Sequence, residues 1–281
     1  MEKAAKPAEF VSMSDEEFVK EAADIVKKAE ERGIVLRILG ALAIYIHSMH
    51  VPKALSIYDR IGRFGEGKPK FTDLDLMAYK KQIKHVKKLL EKELNFEPDR
   101  IINAICSPKR LVYYHPKGYY HVDVFFDKLE YSHDVDFRNG RLELDNPTIT
   151  LTDIVLEKTQ IHQINLKDIV DLIVLFVGHD VADHHEKELV DGSYIARILA
   201  DDWGFWYDAT RNLSLVKKYA QKFHSEGKLD DEELNLVITR VDKLLKMIDE
   251  TPKTKKWQKR AKVGTSKPWY REVSDIEFHT G

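Results

Sequence analysis

Asp73 and Asp75, separated by one leucine in Thr72-Asp73-Leu74-Asp75-Leu76, form the pair in this chain with the clearest chemical promise. Side chains of a strand alternate between its faces, so the two carboxylates are expected to project together while Leu74 and Leu76 face the core. Aspartate is depleted in strands, and two carboxylates held side by side disfavour each other's ionisation. A divalent cation relieves that conflict, and Mg²⁺ prefers carboxylate oxygens together with substrate phosphate. Asp123, in His121-Val122-Asp123-Val124-Phe125, again stands among apolar neighbours. On a neighbouring strand it would complete a site for a metal pair about 4 Å apart and accept a proton from an attacking hydroxyl. The simpler alternatives are a solvated acidic strand face for the pair, and for Asp123 an edge-strand acid paired with an arginine such as Arg110.

The elements that must position these residues follow from patterning. Ser14 to Arg32 predicts an amphipathic helix: Ser14 and Glu17 form a capping box, Phe18, Ala22, Ile25, Val26 and Ala29 form one stripe, and Gly33 ends it. Ile34 to Leu39 predicts a short buried strand, Gly40 a turn, and Ala41 to Met49 a helix. Val51 to Lys70, with Pro52, Gly62, Gly65, Gly67 and Pro69, is expected to be loop. Phe71 to Tyr79 predicts a strand and Gln82 to Leu94 a helix. Ile101 to Ala104, Arg110 to His115 and Tyr119 to Phe126 predict strands, the last two joined as a hairpin by Pro116-Lys117-Gly118. Asn139-Gly140 predicts a second hairpin, between Val135–Phe137 and Leu142–Leu144. Beyond Pro147 the pattern is helical: Thr152 to Gln163, Leu166 to Phe176, Ile195 to Leu199, Trp203 to His224, Asp231 to Ile248 and Pro252 to Lys262. The expected class is α+β, a mixed β-sheet with flanking helices over residues 1–150 followed by a helical half over 151–281.

Taken in that order, the motifs resemble the DNA polymerase β-like nucleotidyltransferases: strand, glycine turn and helix in Leu36-Arg37-Ile38-Leu39-Gly40-Ala41-Leu42-Ala43, then Asp-x-Asp on a strand, then a later strand aspartate. Within that superfamily the chain resembles the AbiEii/AbiGii group of abortive-infection toxins. That group has a downstream helical segment similar to Asp153-Ile154-Val155-Leu156-Glu157-Lys158 followed by Lys167-Asp168-Ile169-Val170-Asp171-Leu172. The resemblance covers roughly residues 20 to 178. It implies a nucleotidyltransferase fold and a transferase moving a nucleoside monophosphate from a nucleoside triphosphate to a hydroxyl acceptor, with Mg²⁺ or Mn²⁺ as cofactor. Asp73 and Asp75 would be metal ligands and Asp123 the third carboxylate. Gly40 and Ala41 would approach the nucleotide, Lys158 would reach the triphosphate, and Asp171 would support the site. RNA, a protein hydroxyl or a small molecule is the acceptor, and an antitoxin-like protein is a candidate partner in a toxin-antitoxin setting. The chain departs from the group at Gly40-Ala41-Leu42, where a second glycine and a hydroxyl are usual, and at Asn165, where an arginine often stands. These departures motivate the alternative: a catalytically degenerate relative that binds nucleotide or a partner protein.

Other clusters have plainer explanations. Gly178-His179-Asp180-Val181-Ala182-Asp183-His184-His185-Glu186 is rich in potential ligands but matches no zinc spacing, and a solvated loop between helices is expected. A phosphohydrolase using it would need this loop beside the Asp-x-Asp strand. Asp168 and Asp171 also fit plain surface acids, with Lys167 pairing Asp171 across one helical turn. From Thr251 to Arg271 there are eight Lys or Arg and no acid, interleaved with Trp257, Trp269 and Tyr270. That suits RNA contact and equally a basic tail packing its rings on the body. Trp203, Phe205, Trp206 and Tyr207 are expected to pack in the core or a groove.

Composition bounds the rest. The 281 residues are 43% hydrophobic and 33% charged, which excludes a disordered chain. A formal net charge of −2 means any polyanion contact must come from a local patch. One cysteine, Cys106, excludes an internal disulfide framework. No stretch approaches about 18 uninterrupted apolar residues, and the first residues carry no apolar core of a secretory signal. A cytoplasmic protein without membrane contact is expected.

Overall fold

The computed structural model describes residues 13–64 and 70–273. Helix α1 (Asp15–Glu30) begins at the predicted capping box, with Ser14 Oγ accepting from the Glu17 amide, and buries the five predicted apolar residues. A mixed sheet follows. Strand β1 (Leu36–Ile38) leads into α2 (Gly40–Ser48), and α3 (Pro52–Ile61) leads towards β2 (Asp73–Ala78). A helical rod that changes pitch, with α4 (Ile83–Lys88) at its centre, connects to β3 (Glu97–Pro98), α5 (Arg100–Cys106), β4 (Arg110–Tyr114) and β5 (His121–Phe126). The sheet order is β1-β2-β5-β4-β3, with β2 and β5 parallel and the other pairs antiparallel. A separate two-stranded ribbon, β6 (Lys128–Glu130) and β7 (Asp134–Asp136), follows directly. The β4–β5 hairpin turns where Pro116-Lys117-Gly118 predicts, with Gly118 at φ 71°.

Three local expectations are corrected. Residues 52–61 are helical, not loop, because Pro52 stands in the first turn, where a missing N–H costs nothing, and Gly62 closes the end at φ 75°. Gly65, Gly67, Lys68 and Pro69 lie outside the described residues. Residues 101–104 belong to helix α5, not a strand. Asp99 caps its first turn by accepting from the Ile101 and Ile102 amides. Asn139 and Gly140 do take the positive φ of a tight turn, but Arg141–Glu143 forms a 3₁₀ turn rather than a returning strand, and β7 pairs backwards with β6.

Among the described residues from 151 on, the regular structure is helical apart from the short parallel pair β8 (Val181–Ala182) and β9 (Val190–Asp191). The helices are α6 (Leu151–Thr159), α7 (Leu166–Gly178), α8 (Gly192–Asp201), α9 (Trp203–Ser225), α10 (Asp231–Glu250) and α11 (Lys255–Ala261). Helix α7 is buried along most of its length, and one contiguous apolar core runs from Phe18 in α1 to Ile248 in α10. Helices α6 and α7 pack on α2 and α3, so the sheet's carboxylate-bearing strands and the later helices share a cleft. Among the described residues no helix is long and apolar enough to cross a membrane.

Candidate active site

Strands β2 and β5 run parallel in a register that sets Asp75 opposite Asp123 and Asp73 opposite His121. Residues opposite one another share a face, so Asp73, Asp75, His121 and Asp123 stand together. Leu74, Leu76, Val122 and Val124 are wholly buried on the other face. The three aspartates line one cleft with Lys158, as the sequence suggests. Asp123 is not on an edge: β5 is the central strand, yet its carboxylate does receive both forks of Arg110, Nε to Oδ1 at 2.7 Å and Nη2 to Oδ2 at 2.9 Å. His121 Nε2 is buried without a hydrogen-bond partner, 4.0 Å from Asp73 and 3.7 Å from Asp123. Asp75 keeps only part of its surface towards the cleft. Burial and the neighbouring carboxylates of Asp73, Asp123 and Glu157 push its carboxyl well above the usual range.

The amino end of α2 supplies the next wall. Gly40 sits at φ 73°, and a Cβ there would lie 3.0 Å from Asp75 Oδ2, so the turn needs glycine for both backbone freedom and close approach. Its amide donates to Glu157 Oε2 at 3.1 Å. A carboxylate therefore occupies a helix-terminal N–H of the kind that binds phosphate elsewhere. Burial raises the Glu157 carboxyl to about 7, against the opposing effects of Lys158 and the Gly40 amide. Gly40→Ala is expected to destabilise the protein by about 1–3 kcal/mol through backbone strain and contact with Asp75. Urea denaturation checks this, and an unchanged midpoint would show that the turn tolerates a side chain.

Behind the cleft lies a buried ion cluster. Lys158 Nζ is 2.8 Å from Asp168 Oδ1 and 3.0 Å from Asp171 Oδ2. Asp171 also takes Arg63 in a two-pronged contact, at 2.9 and 3.2 Å, and the Tyr58 hydroxyl at 3.1 Å. Burial would raise the Asp171 carboxyl, but Arg63 and Lys158 outweigh it and hold the group below its usual value. Asp168 and Asp171 are thus not surface acids, and Asp171 pairs with Lys158 and Arg63 rather than, as one alternative had it, with Lys167 across a helical turn. Lys158 and Asp168 reach the cleft wall, whereas Asp171 stands behind them with no cleft surface.

The histidine-rich segment lies elsewhere. None of residues 178–188 lines the cleft, so the arrangement a phosphohydrolase would need is not formed. The segment is also not uniformly solvated: His184 and His185 are exposed, but His179 is buried. The basic tail packs its rings on the body. Trp257 meets Trp206 at 5.0 Å, Tyr270 stacks on His162 at 3.6 Å, and Trp269 Nε1 donates to Asp208 at 3.2 Å. Asp208, wholly buried, also binds His133 and His162. Arg271 then fastens to the β6–β7 ribbon through the carbonyls of Ser132 and Tyr131 and the carboxylate of Asp134. Trp203 and Phe205 are core residues, as expected.

Glu157, His121 and Arg63 were not singled out by sequence reasoning. Glu157 and His121 sit inside motifs that drew notice for their neighbours. Nothing local marks Arg63, whose partner is 108 residues away. No family model matches the chain, and no curated protein or solved structure matches it.

Proposed function

We propose that the cleft transfers a nucleoside monophosphate from a nucleoside triphosphate to a hydroxyl acceptor with Mg²⁺ or Mn²⁺ as cofactor. The observation that carries this reading is the in-register pairing of Asp75 with Asp123, with Asp73 on the same face, beside the amino end of α2. The donor set is all hard oxygen, which suits these cations. Burial and the carboxylates of Asp73, Asp123 and Glu157 raise the Asp75 carboxyl, a conflict that a bound cation would relieve. Asp73 and Asp75 would hold the cation. Asp123 would join them, since a two-pronged arginine leaves a carboxylate with further lone pairs. When bound, the cation supplies charge stabilisation to the phosphate oxygens and lowers the pKa of an attacking hydroxyl.

The chain's own residues do the remaining work. The α2 amides would receive a phosphate once Glu157 releases the Gly40 N–H, and protonation of Glu157 near neutral pH makes that release easier. Lys158 places a fixed positive charge at the wall. Leu42, Phe71 and Ile161 offer apolar surface on which a base can lie.

A second reading, nucleotide binding without transfer, draws on the same contacts: Glu157 on the Gly40 amide and Arg110 on Asp123 both occupy groups that transfer would use. Incubating the full chain with each α-labelled triphosphate, Mg²⁺ and a mixed RNA pool distinguishes them. Under the transfer reading, label moves to an acceptor with pyrophosphate release, and Asp75→Asn lowers the rate by about 10²-fold or more. Mg²⁺-dependent triphosphate binding with no label transferred to RNA, to the protein itself or to small hydroxyl compounds would favour the second reading. Absence of Mg²⁺-dependent binding would sink both.

A further inference from the structure

Helix α2 runs from the cleft to a second polar cluster at its other end. Its nine residues span about 13 Å, so the two ends are separate environments. Here His47, Ser48 and His50 meet the segment after α7. His179 is 2% exposed, with Nε2 3.1 Å from Ser48 Oγ and Nδ1 3.2 Å from the Glu188 carbonyl oxygen. Glu188 adopts φ 62°, and its carboxylate lies 3.0 Å from His47 Nδ1 and 3.6 Å from His179 Nδ1. The His47 ring is fixed from its other side by Thr148 Oγ1 at 2.8 Å and the Ile149 carbonyl at 3.0 Å. His50 closes the group, its ring 5.6 Å from that of His179.

His50, His179 and Glu188 each bring one donor atom so that all three lie within 4.8 Å of one another. Among the described residues this, rather than the aspartate triad, is the group that meets so tight a condition. Tetrahedral ligands held on one ion at about 2.1 Å lie about 3.4 Å apart. Exposed His50 is the ligand whose side-chain rotation would close the remaining gap.

We infer that His50, His179 and Glu188 form a binding site for a divalent transition metal of the zinc class, separate from the cleft. Two imidazoles and one carboxylate select Zn²⁺ or a similar ion over Mg²⁺, which prefers oxygen ligands. Three protein ligands leave a fourth position for water. His47 holds the Glu188 carboxylate in place, as oxygen ligands of metals are commonly held. The ion would pin the segment after α7 to the end of α2.

Titration of the metal-stripped full chain with Co²⁺, followed by absorption in the visible and by calorimetry, tests this. One equivalent is expected to bind with the intense bands of a four-coordinate nitrogen–oxygen site, and Zn²⁺ to displace it and raise the melting temperature. His50→Ala, at an exposed position, is expected to remain folded and weaken binding by at least about tenfold, as is Glu188→Gln. Asp75→Asn and the exposed pair His184→Ala/His185→Ala are expected to retain the site, which separates it from the cleft and from loose loop histidines. Unchanged affinity in His50→Ala, or loss of the spectrum in Asp75→Asn with His50→Ala unaffected, would overturn the assignment.

Discussion

Asp171→Ala is expected to destabilise the protein by about 3–5 kcal/mol, because it leaves Arg63 and Lys158 buried with too little negative charge. Asp171 is wholly buried and touches Arg63, Lys158 and the Tyr58 hydroxyl, so its loss takes a partner from three groups rather than one. Asp168→Ala removes a single partner of Lys158 and is expected to cost less. Chemical denaturation of both variants checks the order. If the charge imbalance is the cause, adding Arg63→Met to Asp171→Leu should recover part of the loss, since an apolar replacement of a whole buried pair is often neutral. A cost at Asp171 no greater than at Asp168 would show that water or rearrangement relieves the cluster.

Glu157→Gln is expected to change how stability varies with pH. The Glu157 carboxyl holds its proton more tightly in the folded chain, from an ordinary 4.5 to about 7. The folded protein therefore binds more protons than the unfolded chain across that interval, and stability must fall as pH rises through it. The full shift corresponds to a loss on the order of 3 kcal/mol by the upper end. Asp75, displaced in the same direction, adds to the fall. Glutamine can still accept from the Gly40 amide but does not titrate, so the variant should show a flatter profile and exceed the wild type above pH 7. Parallel slopes for the two proteins between pH 4.5 and 7 would mean that Glu157 is already solvated as a carboxylate.

What sequence made legible was local. The Asp73–Asp75 alternation, the Ser14–Glu17 capping box and the turn at Pro116-Lys117-Gly118 each lie within a few residues, and each is found where periodicity or turn chemistry put it. The failures at 52–61 and 101–104 have different origins. Pro52 and Gly62 read as loop punctuation but bound a helix, whereas at 101–104 a short apolar run behind the Asp99 cap does not reveal its own period. The Leu142–Leu144 strand fails because Leu142 is buried while Leu144 is exposed, each serving the 3₁₀ turn rather than a sheet face. In the cleft, Asp73, Asp75 and Asp123 are legible because carboxylates in apolar runs are costly and conspicuous, whereas Lys158 is expected there only through the family resemblance. What surrounds them is not legible: Gly40 and Glu157 are 117 residues apart, and Arg63 and Asp171 are 108 apart. Such pairs are made by the packing of α2 and α3 on α6 and α7, which no local pattern encodes.

The fastening of Arg271 to the β6–β7 ribbon has a consequence for vectorial synthesis. Tyr131, in that ribbon, lines the cleft, and the segment from Trp269 to Arg271 holds its backbone while filling the space beside His162 and Gly204. A nascent chain whose sheet and aspartates have already emerged from the ribosome thus still lacks the clasp on one wall of the cleft. The final shape of that wall is set only after about 145 further residues, roughly 7–29 s of translation at 5–20 residues per second. Until then, that wall of the cleft remains unfinished by its own connectivity.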